Sequence, residues 1–147
     1  MRREVRMEDI SDGKLYRAED LVRAGCGGCE GCSACCRHMG ESVILDPLDI
    51  YNLNIGAKVG LGELFSRYLE LHVVDGVILP TMKMTGEDEA CGFLNEEGRC
   101  RVHAHRPGLC RLFPLGRFYE DGGFRYFLQT GECRKKNRSK VRVSHFI

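Results

Sequence analysis

The sequence predicts an α+β fold of short helices and β-hairpins organised around a cysteine-rich metal site. Three observations support this prediction: turn-forming segments between runs of β-forming residues, helix-start signals along the first half of the chain, and nine cysteines among 147 residues. A chain of this length fits one domain. We therefore expect a single metal-binding domain over residues 1–147, with its core at 26–133 and a basic C-terminal tail at 134–147.

Helix signals occur in three places. Residues 16–24 carry acidic side chains near their start and are followed by glycine, which predicts a short helix. Asp46 and Pro47 are typical of an N-cap followed by proline at the first helical position, and this helix is expected to run to about Leu53. Apolar residues at helical spacing predict a further helix over residues 61–71.

Hairpin signals occur three times in the second half of the chain. Each is a turn-forming segment between two short runs of β-forming residues. The expected turns are Asp75-Gly76, residues 95–98 and residues 120–123. Residues 43–45 predict another short strand, and residues 134–142, of which six are basic, predict a solvated tail.

The cysteines are expected to be thiolate ligands and not disulfides. The first ten residues lack the apolar region of a secretory signal, and no apolar stretch approaches the eighteen or so residues of a membrane span. We therefore expect a cytoplasmic protein without membrane contact, in a compartment where structural disulfides are rare. An odd number of cysteines also cannot all pair within one chain.

Five cysteines form a proximal motif, Cys-x2-Cys-x2-Cys-x2-Cys-Cys, at positions Cys26, Cys29, Cys32, Cys35 and Cys36. A gap of two residues lets a turn bring two sulfurs to one small ion, as in zinc and iron–sulfur sites. Adjacent side chains usually diverge, so Cys35 and Cys36 are expected to have different roles.

Four distal cysteines lie far apart in the sequence, so only the fold can bring them to the proximal motif. They are Cys91, Cys100, Cys110 and Cys133. We expect at least one of them to meet the proximal loop at the metal, and Cys110 is the first choice because it follows a rigid turn at Pro107. His38, His103 and His105 are alternative nitrogen ligands.

The charge distribution is uneven. The net charge is −8 over residues 41–98 and +9 over residues 99–147. Such asymmetry can indicate nucleic-acid binding, but a four-thiolate site keeps about two negative charges that nearby cations must offset. We expect arginines close to cysteines in the sequence to offset this charge, namely Arg37, Arg99, Arg101, Arg106, Arg111 and Arg134. Of these, Arg37, Arg106 and Arg111 are expected beside the ligands. We expect no sequence-specific nucleic-acid binding.

Four blocks of the sequence resemble the YkgJ-like cysteine-cluster family of CxxCxxCC zinc- or iron-chelating domains. The blocks are Cys29-x2-Cys32-x2-Cys35-Cys36, residues 45–50, residues 91–94, and Cys100 with residues 106–114. The resemblance implies a compact metal-chelating domain. The flagellin lysine N-methylases look similar, because they carry such a cluster within a longer chain.

The expected function is to hold an iron–sulfur cluster or zinc through cysteine thiolates, in metal handling, in electron transfer or as an accessory to a protein partner. The alternatives are a cluster-dependent group-transfer enzyme related to those methylases and a structural zinc module. We favour a [4Fe–4S] cluster over zinc. Three cysteines at two-residue gaps with a remote fourth are closer to bacterial ferredoxins than to paired zinc knuckles.

Overall fold

The computed structural model describes residues 6–27 and 32–147. Cys29 therefore lies outside the described residues. The described chain divides into two compact units, a first unit of residues 32–111 and a second unit of residues 6–27 and 112–147. Both units contain short helices and antiparallel strand pairs, so the α+β class is as predicted. The single domain over residues 1–147 stays a prediction.

The helices and strands of the described residues are short. In chain order they are α1 (Met7–Ile10), β1 (Leu21–Gly25), α2 (Pro47–Ala57), α3 (Leu61–Tyr68), β2 (Leu69–Val74), β3 (Val77–Met82), β4 (Met84–Thr85), β5 (Ala90–Cys91), α4 (Gly108–Leu112), β6 (Leu115–Glu120), β7 (Gly123–Leu128), β8 (Ser139–Arg142) and α5 (Val143–Phe146). Single 3₁₀ turns occur at Ala34–Cys36 and His103–His105. No described helix has the length and apolar character needed to cross a membrane.

Helix α2 begins where the sequence predicts. Asp46 is its N-cap and accepts a hydrogen bond from the backbone N–H of Asp49 at 2.7 Å, while the Asp49 side chain accepts one from the backbone N–H of Asp46 at 3.3 Å. This reciprocal capping box satisfies two donors that would otherwise lack partners. The helix continues past the expected end at Leu53 to Ala57, where Lys58 turns into the left-handed region at φ +55°.

Strands β2 and β3 form the predicted hairpin around Asp75 and Gly76. Both turn residues have positive φ, +51° and +78°, as a two-residue turn matched to strand twist requires. The preceding helix α3 ends at Tyr68 and not near residue 71, because Leu69 already pairs with Met82 in the sheet. The strand expected over residues 43–45 is reduced to one bridge, Ile44 with Thr81.

One apolar core organises the first unit. Its buried residues are Val43, Leu45, Leu53, Leu64, Tyr68, Leu69, Met82, Phe93 and Val102. The rings of Tyr68 and Phe93 stack at a centroid distance of 4.2 Å. Cys91, Cys100 and Cys110 are partly buried against this core, so three distal thiols lie at the edge of one apolar cluster.

In the second unit, the helix predicted over residues 16–24 is wrong, because residues 21–25 form strand β1. Val22 and Ala24 are buried while Leu21 and Arg23 are exposed, which is the two-residue alternation of a strand. The partner of β1 is β8, near the opposite end of the chain. Residues 139–146 are consequently ordered as β8 and α5 within the segment predicted as a tail.

The other two predicted turns are both present. Residues 95–98 are closed by a bridge between Leu94 and Cys100, although residues 100–102 do not continue as a strand. Strands β6 and β7 form the third hairpin, in which Glu120 pairs with Gly123 across the turn Asp121-Gly122. This hairpin is one residue longer on each side than expected.

Candidate metal centre

Backbone hydrogen bonds bring the proximal cysteines Cys35 and Cys36 to the strand that contains Cys91. The 3₁₀ turn Ala34–Cys36 is closed by a bond from the Cys36 N–H to the Ser33 carbonyl at 2.9 Å. Directly after it, Arg37 forms a β-bridge with Ala90, and the His38 N–H donates to the Glu89 carbonyl at 2.9 Å. Ala90 precedes Cys91, so the proximal motif is attached beside a distal cysteine.

Cys91 and Cys100 lie on the two sides of one loop. Cys91 pairs with Met84 in the β4–β5 ladder, and the Leu94 N–H donates to the Cys91 carbonyl at 2.9 Å. The chain then returns through residues 95–98, where Gly98 has φ +72°, and Cys100 bridges back to Leu94. The loop therefore holds both cysteines at the edge of the core.

Cys110 is positioned by contacts with helix α2. The backbone N–H of Gly108, at the start of α4, donates to Asp49 Oδ1 at 2.8 Å. In the preceding 3₁₀ turn, His105 packs so closely on Gly56 that a methyl group on Gly56 would lie 2.7 Å from the His105 Cβ. Together these contacts fix the segment that leads into Cys110.

Four thiols, those of Cys35, Cys91, Cys100 and Cys110, interact electrostatically in the folded chain. The pKa of the Cys110 thiol is raised to about 12, first by burial and then by the charges of the other three cysteines. Burial is also the main cause of the raised pKa values of Cys91 and Cys100. The pKa of Cys35 is raised first by its hydrogen bond to Cys36, and then by burial.

This donor set suits a thiophilic cation. Buried thiols that disfavour the anionic form when alone become thiolates when a metal ion supplies positive charge among them. Cysteine sulfur is the ligand that zinc and iron–sulfur clusters use most. Within residues 6–27 and 32–147, no three His, Cys, Asp or Glu side chains are arranged to hold one ion.

Two arginines act on these thiols. The positive charge of Arg106 lowers the pKa of Cys35, Cys100 and Cys110, and its Nε donates to the His103 carbonyl at 3.0 Å. Arg101 acts in the same direction on Cys91 and Cys100. Arg101, next to Cys100, is among the arginines expected from the sequence to offset the thiolate charge, although it is not one of the three expected beside the ligands.

The other two expected arginines are placed differently. Arg37 pairs with Asp88 at 3.1 Å and also donates to the Ser33 hydroxyl at 3.3 Å. Arg111 is exposed to solvent. Of the three predicted arginines, Arg106 is the one whose charge lowers the pKa values of the thiols.

The remaining candidate ligands have different surroundings. Cys32 is half-buried just before the 3₁₀ turn of Cys35, whereas Cys26 and Cys133 belong to the second unit. His38 Nδ1 lies 3.4 Å from a Glu89 carboxylate oxygen. His103 is exposed, and its pKa is lowered by burial of part of the ring and by the charges of Arg106 and Arg99.

The model of the CxxCxxCC family, described as "Putative zinc- or iron-chelating domain", matches residues 28–140. The chain belongs to the CxxCxxCC family. The resemblance inferred from the sequence is confirmed, and zinc or iron chelation is the function that the CxxCxxCC description gives. Comparisons with curated proteins and with solved structures found no match. The match spans Cys29 and all four distal cysteines, so both halves of the candidate site belong to the CxxCxxCC domain.

Proposed function

We propose that this CxxCxxCC protein holds an iron–sulfur cluster or zinc through the thiolates of Cys35, Cys91, Cys100 and Cys110. The observation that carries the proposal is that the Arg37–Ala90 bridge attaches the proximal motif beside Cys91, while Cys91, Cys100 and Cys110 pack against the same apolar core. Cys35 comes from the proximal motif, Cys91 and Cys100 come from the two sides of one loop, and Cys110 comes from α4. Three separated parts of the first unit thus carry the four proposed ligands.

Charge explains why a metal is expected in this region. When several neighbouring thiols ionise, their negative charges lie close together in a partly apolar site. The repulsion between these charges raises the pKa values of the thiols. A dication or a cationic cluster core removes this repulsion and replaces it with attraction. Because no three described ligand side chains already surround one point, metal binding is expected to draw the sulfurs together.

Arg106 and Arg101 supply the compensating positive charge that the loaded site would need. Four thiolates on zinc, or on a [4Fe–4S] core in its 2+ state, leave about two negative charges. Arg106 influences three of the four thiols and Arg101 influences two. These two side chains therefore favour the metal-bound state over the empty one.

We favour an iron–sulfur cluster because of the spacing of the proximal motif. A cluster would supply one-electron transfer, whereas zinc in a closed four-cysteine site would supply structure. The proposed role is metal handling, electron transfer or support of a protein partner. The proximal cysteines Cys29, Cys32 and Cys36 are proposed as additional or exchanging ligands.

The test is anaerobic purification followed by metal and acid-labile sulfide analysis and a visible absorption spectrum. Single serine substitutions of Cys35, Cys91, Cys100 and Cys110 should each reduce bound metal to less than half. Cys133→Ser is the matched control, because it removes a thiol of the second unit, and it should retain metal. Iron with sulfide identifies a cluster, and zinc alone identifies the alternative.

Circular dichroism of each variant separates loss of metal from loss of fold. A folded variant that loses metal supports the assignment of its cysteine. Full metal content in all four folded variants would refute the proposed ligand set, and wild-type protein purified anaerobically without metal would refute the function.

A further inference from the structure

The tip of the β6–β7 hairpin presents aromatic side chains to solvent. Arg117 pairs with Tyr126 and Tyr119 pairs with Phe124, and directly paired residues lie on the same face of an antiparallel ladder. Tyr126 is buried in the core of the second unit, whereas Tyr119 is 69% exposed and Phe124 is 43% exposed. One face of the hairpin therefore begins in the core and continues outward as an exposed aromatic surface.

Contacts among these side chains hold the exposed rings in place. The ring of Phe124 meets the buried Tyr126 ring edge-on at 5.3 Å, and Tyr119 packs on Phe124 at 5.6 Å. The Arg117 guanidinium lies 4.8 Å from the centroid of the Phe124 ring. A ligand that stacks on Tyr119 thus meets a surface that is already ordered, which lowers the entropic cost of binding.

The C-terminal segment of the same unit carries a net positive charge, whereas residues 6–27 contain four basic and five acidic side chains. Residues 112–147 contain eight Lys and Arg side chains and three acidic ones, and residues 134–142 contain six basic residues without an acidic one. Strand β8, within this basic segment, pairs with β1, and β1 in turn packs against β7 of the hairpin. The basic segment and the aromatic hairpin are therefore parts of one packed unit.

We propose that the face formed by Arg117, Tyr119 and Phe124, together with basic residues 134–142, binds single-stranded nucleic acid without sequence preference. Exposed aromatic rings stack on unpaired bases of any identity, and Lys and Arg side chains bind the phosphates between them. A duplex hides its base faces, so an aromatic ring cannot stack on them and the phosphate contacts of this site remain. The prediction that sequence-specific recognition is absent is compatible with this site.

The test measures fluorescence anisotropy of a labelled oligo(dT) of about 15 nucleotides with the metal-loaded 147-residue chain. Tyr119→Ala should weaken binding at least about fivefold, and Tyr119→Phe, which keeps the ring, should restore it. Tyr51→Ala is the matched control, because Tyr51 is similarly exposed, at 61%, on α2 of the first unit. Raising salt from about 50 to about 200 mM should weaken binding of every variant.

Three results would overturn the proposal. The first is equal affinity of wild type and folded Tyr119→Ala. The second is equally tight binding of a duplex of the same length, which would show attraction to phosphates alone. The third is absence of oligonucleotide binding at low salt. This result overturns the proposal even if the same face is found to bind a protein. Metal content should be the same in Tyr119→Ala and wild type, so that failure here is distinct from failure of the metal site.

Discussion

The Asp49 carboxylate accepts a hydrogen bond from the backbone N–H of Gly108 at 2.8 Å, across 59 residues of sequence. The same carboxylate completes the capping box of α2 through the Asp46 N–H. One buried side chain therefore joins the start of the longest helix to the segment that carries Cys110.

Replacing Asp49 by alanine should lower the free energy of unfolding by about 2–4 kcal/mol, because it removes two acceptors and leaves the Gly108 N–H without a partner. Urea unfolding measures the change. Asp88→Ala is the control, since Asp88 is exposed and pairs with Arg37, and loss of this surface ion pair should cost at most about 1 kcal/mol. Equal losses in the two variants would contradict the role assigned to Asp49.

Two helical glycines should respond to alanine in opposite directions. Gly62, in α3, has open space where a Cβ would lie, so Gly62→Ala should stabilise the protein by up to about 1 kcal/mol. Gly56, in α2, lies against His105, so Gly56→Ala should destabilise it by about 1–3 kcal/mol despite the gain in helix propensity.

Thermal unfolding of the two glycine variants measures both effects. Adding His105→Ala to Gly56→Ala should recover part of the loss, because the clashing ring is removed. Stabilisation by Gly56→Ala alone would show that His105 does not press against α2.

Removing the metal should loosen the first unit. Metal-binding energy contributes to folding, so complete chelation should lower the melting temperature by at least about 5 °C. Reaction of the Cys35, Cys91, Cys100 and Cys110 thiols with a labelling reagent should also become faster. Cys110→Ser protein serves as the control, since a chelator should change it little, and an unchanged melting temperature together with unchanged thiol labelling in wild type would reject the prediction.

Tyr16 should affect stability at alkaline pH. Burial, a hydrogen bond to Asp12, and the charges of Asp12 and Asp20 raise its pKa from 10.0 to about 12. The folded state thus retains a proton that the unfolded state loses. The stabilising contribution of Tyr16 is complete below pH 10 and disappears as the pH rises to about 12.

Unfolding of wild type and Tyr16→Phe across this pH range tests the prediction. The difference in their free energies of unfolding should change between pH 10 and 12, with wild type losing more. Tyr51→Phe, on an exposed side chain, is the comparison. If the difference in free energy of unfolding between wild type and Tyr16→Phe stays constant through this range, the pKa of Tyr16 is not raised in the folded state.

Local signals predicted the fold well where the deciding residues are neighbours in sequence. The Asp46-Pro47 helix start and the Asp75-Gly76 turn depend on contacts within a few residues, and both are confirmed. Strand β1 was missed because its structure depends on β8, whose residues are more than a hundred positions away. The pattern of residues 21–25 was too short to separate a strand from a helix without that partner.

The candidate site was also predicted only in part, because some of its contacts join residues that are far apart in the sequence. The rigid turn at Pro107 led to the prediction that Cys110 would meet the proximal motif at the metal, and the charge of Cys35 contributes to the raised pKa of the Cys110 thiol. Whether the two share a metal stays a prediction. The function of Asp49 was not predicted, because a capping residue at the start of a helix gives no sign that its second oxygen reaches Gly108.

The bridge between Arg37 and Ala90 affects when the growing chain can bind its metal during synthesis. Chains are made from the N-terminus, and domains fold as their parts emerge. The proximal motif emerges first, but Cys35 gains the partner strand only after residue 90, and Cys110 follows later still. The proposed four-thiol site is therefore complete only after Cys110 has emerged from the ribosome, and a growing chain that stops short of this residue would lack one of the four ligands.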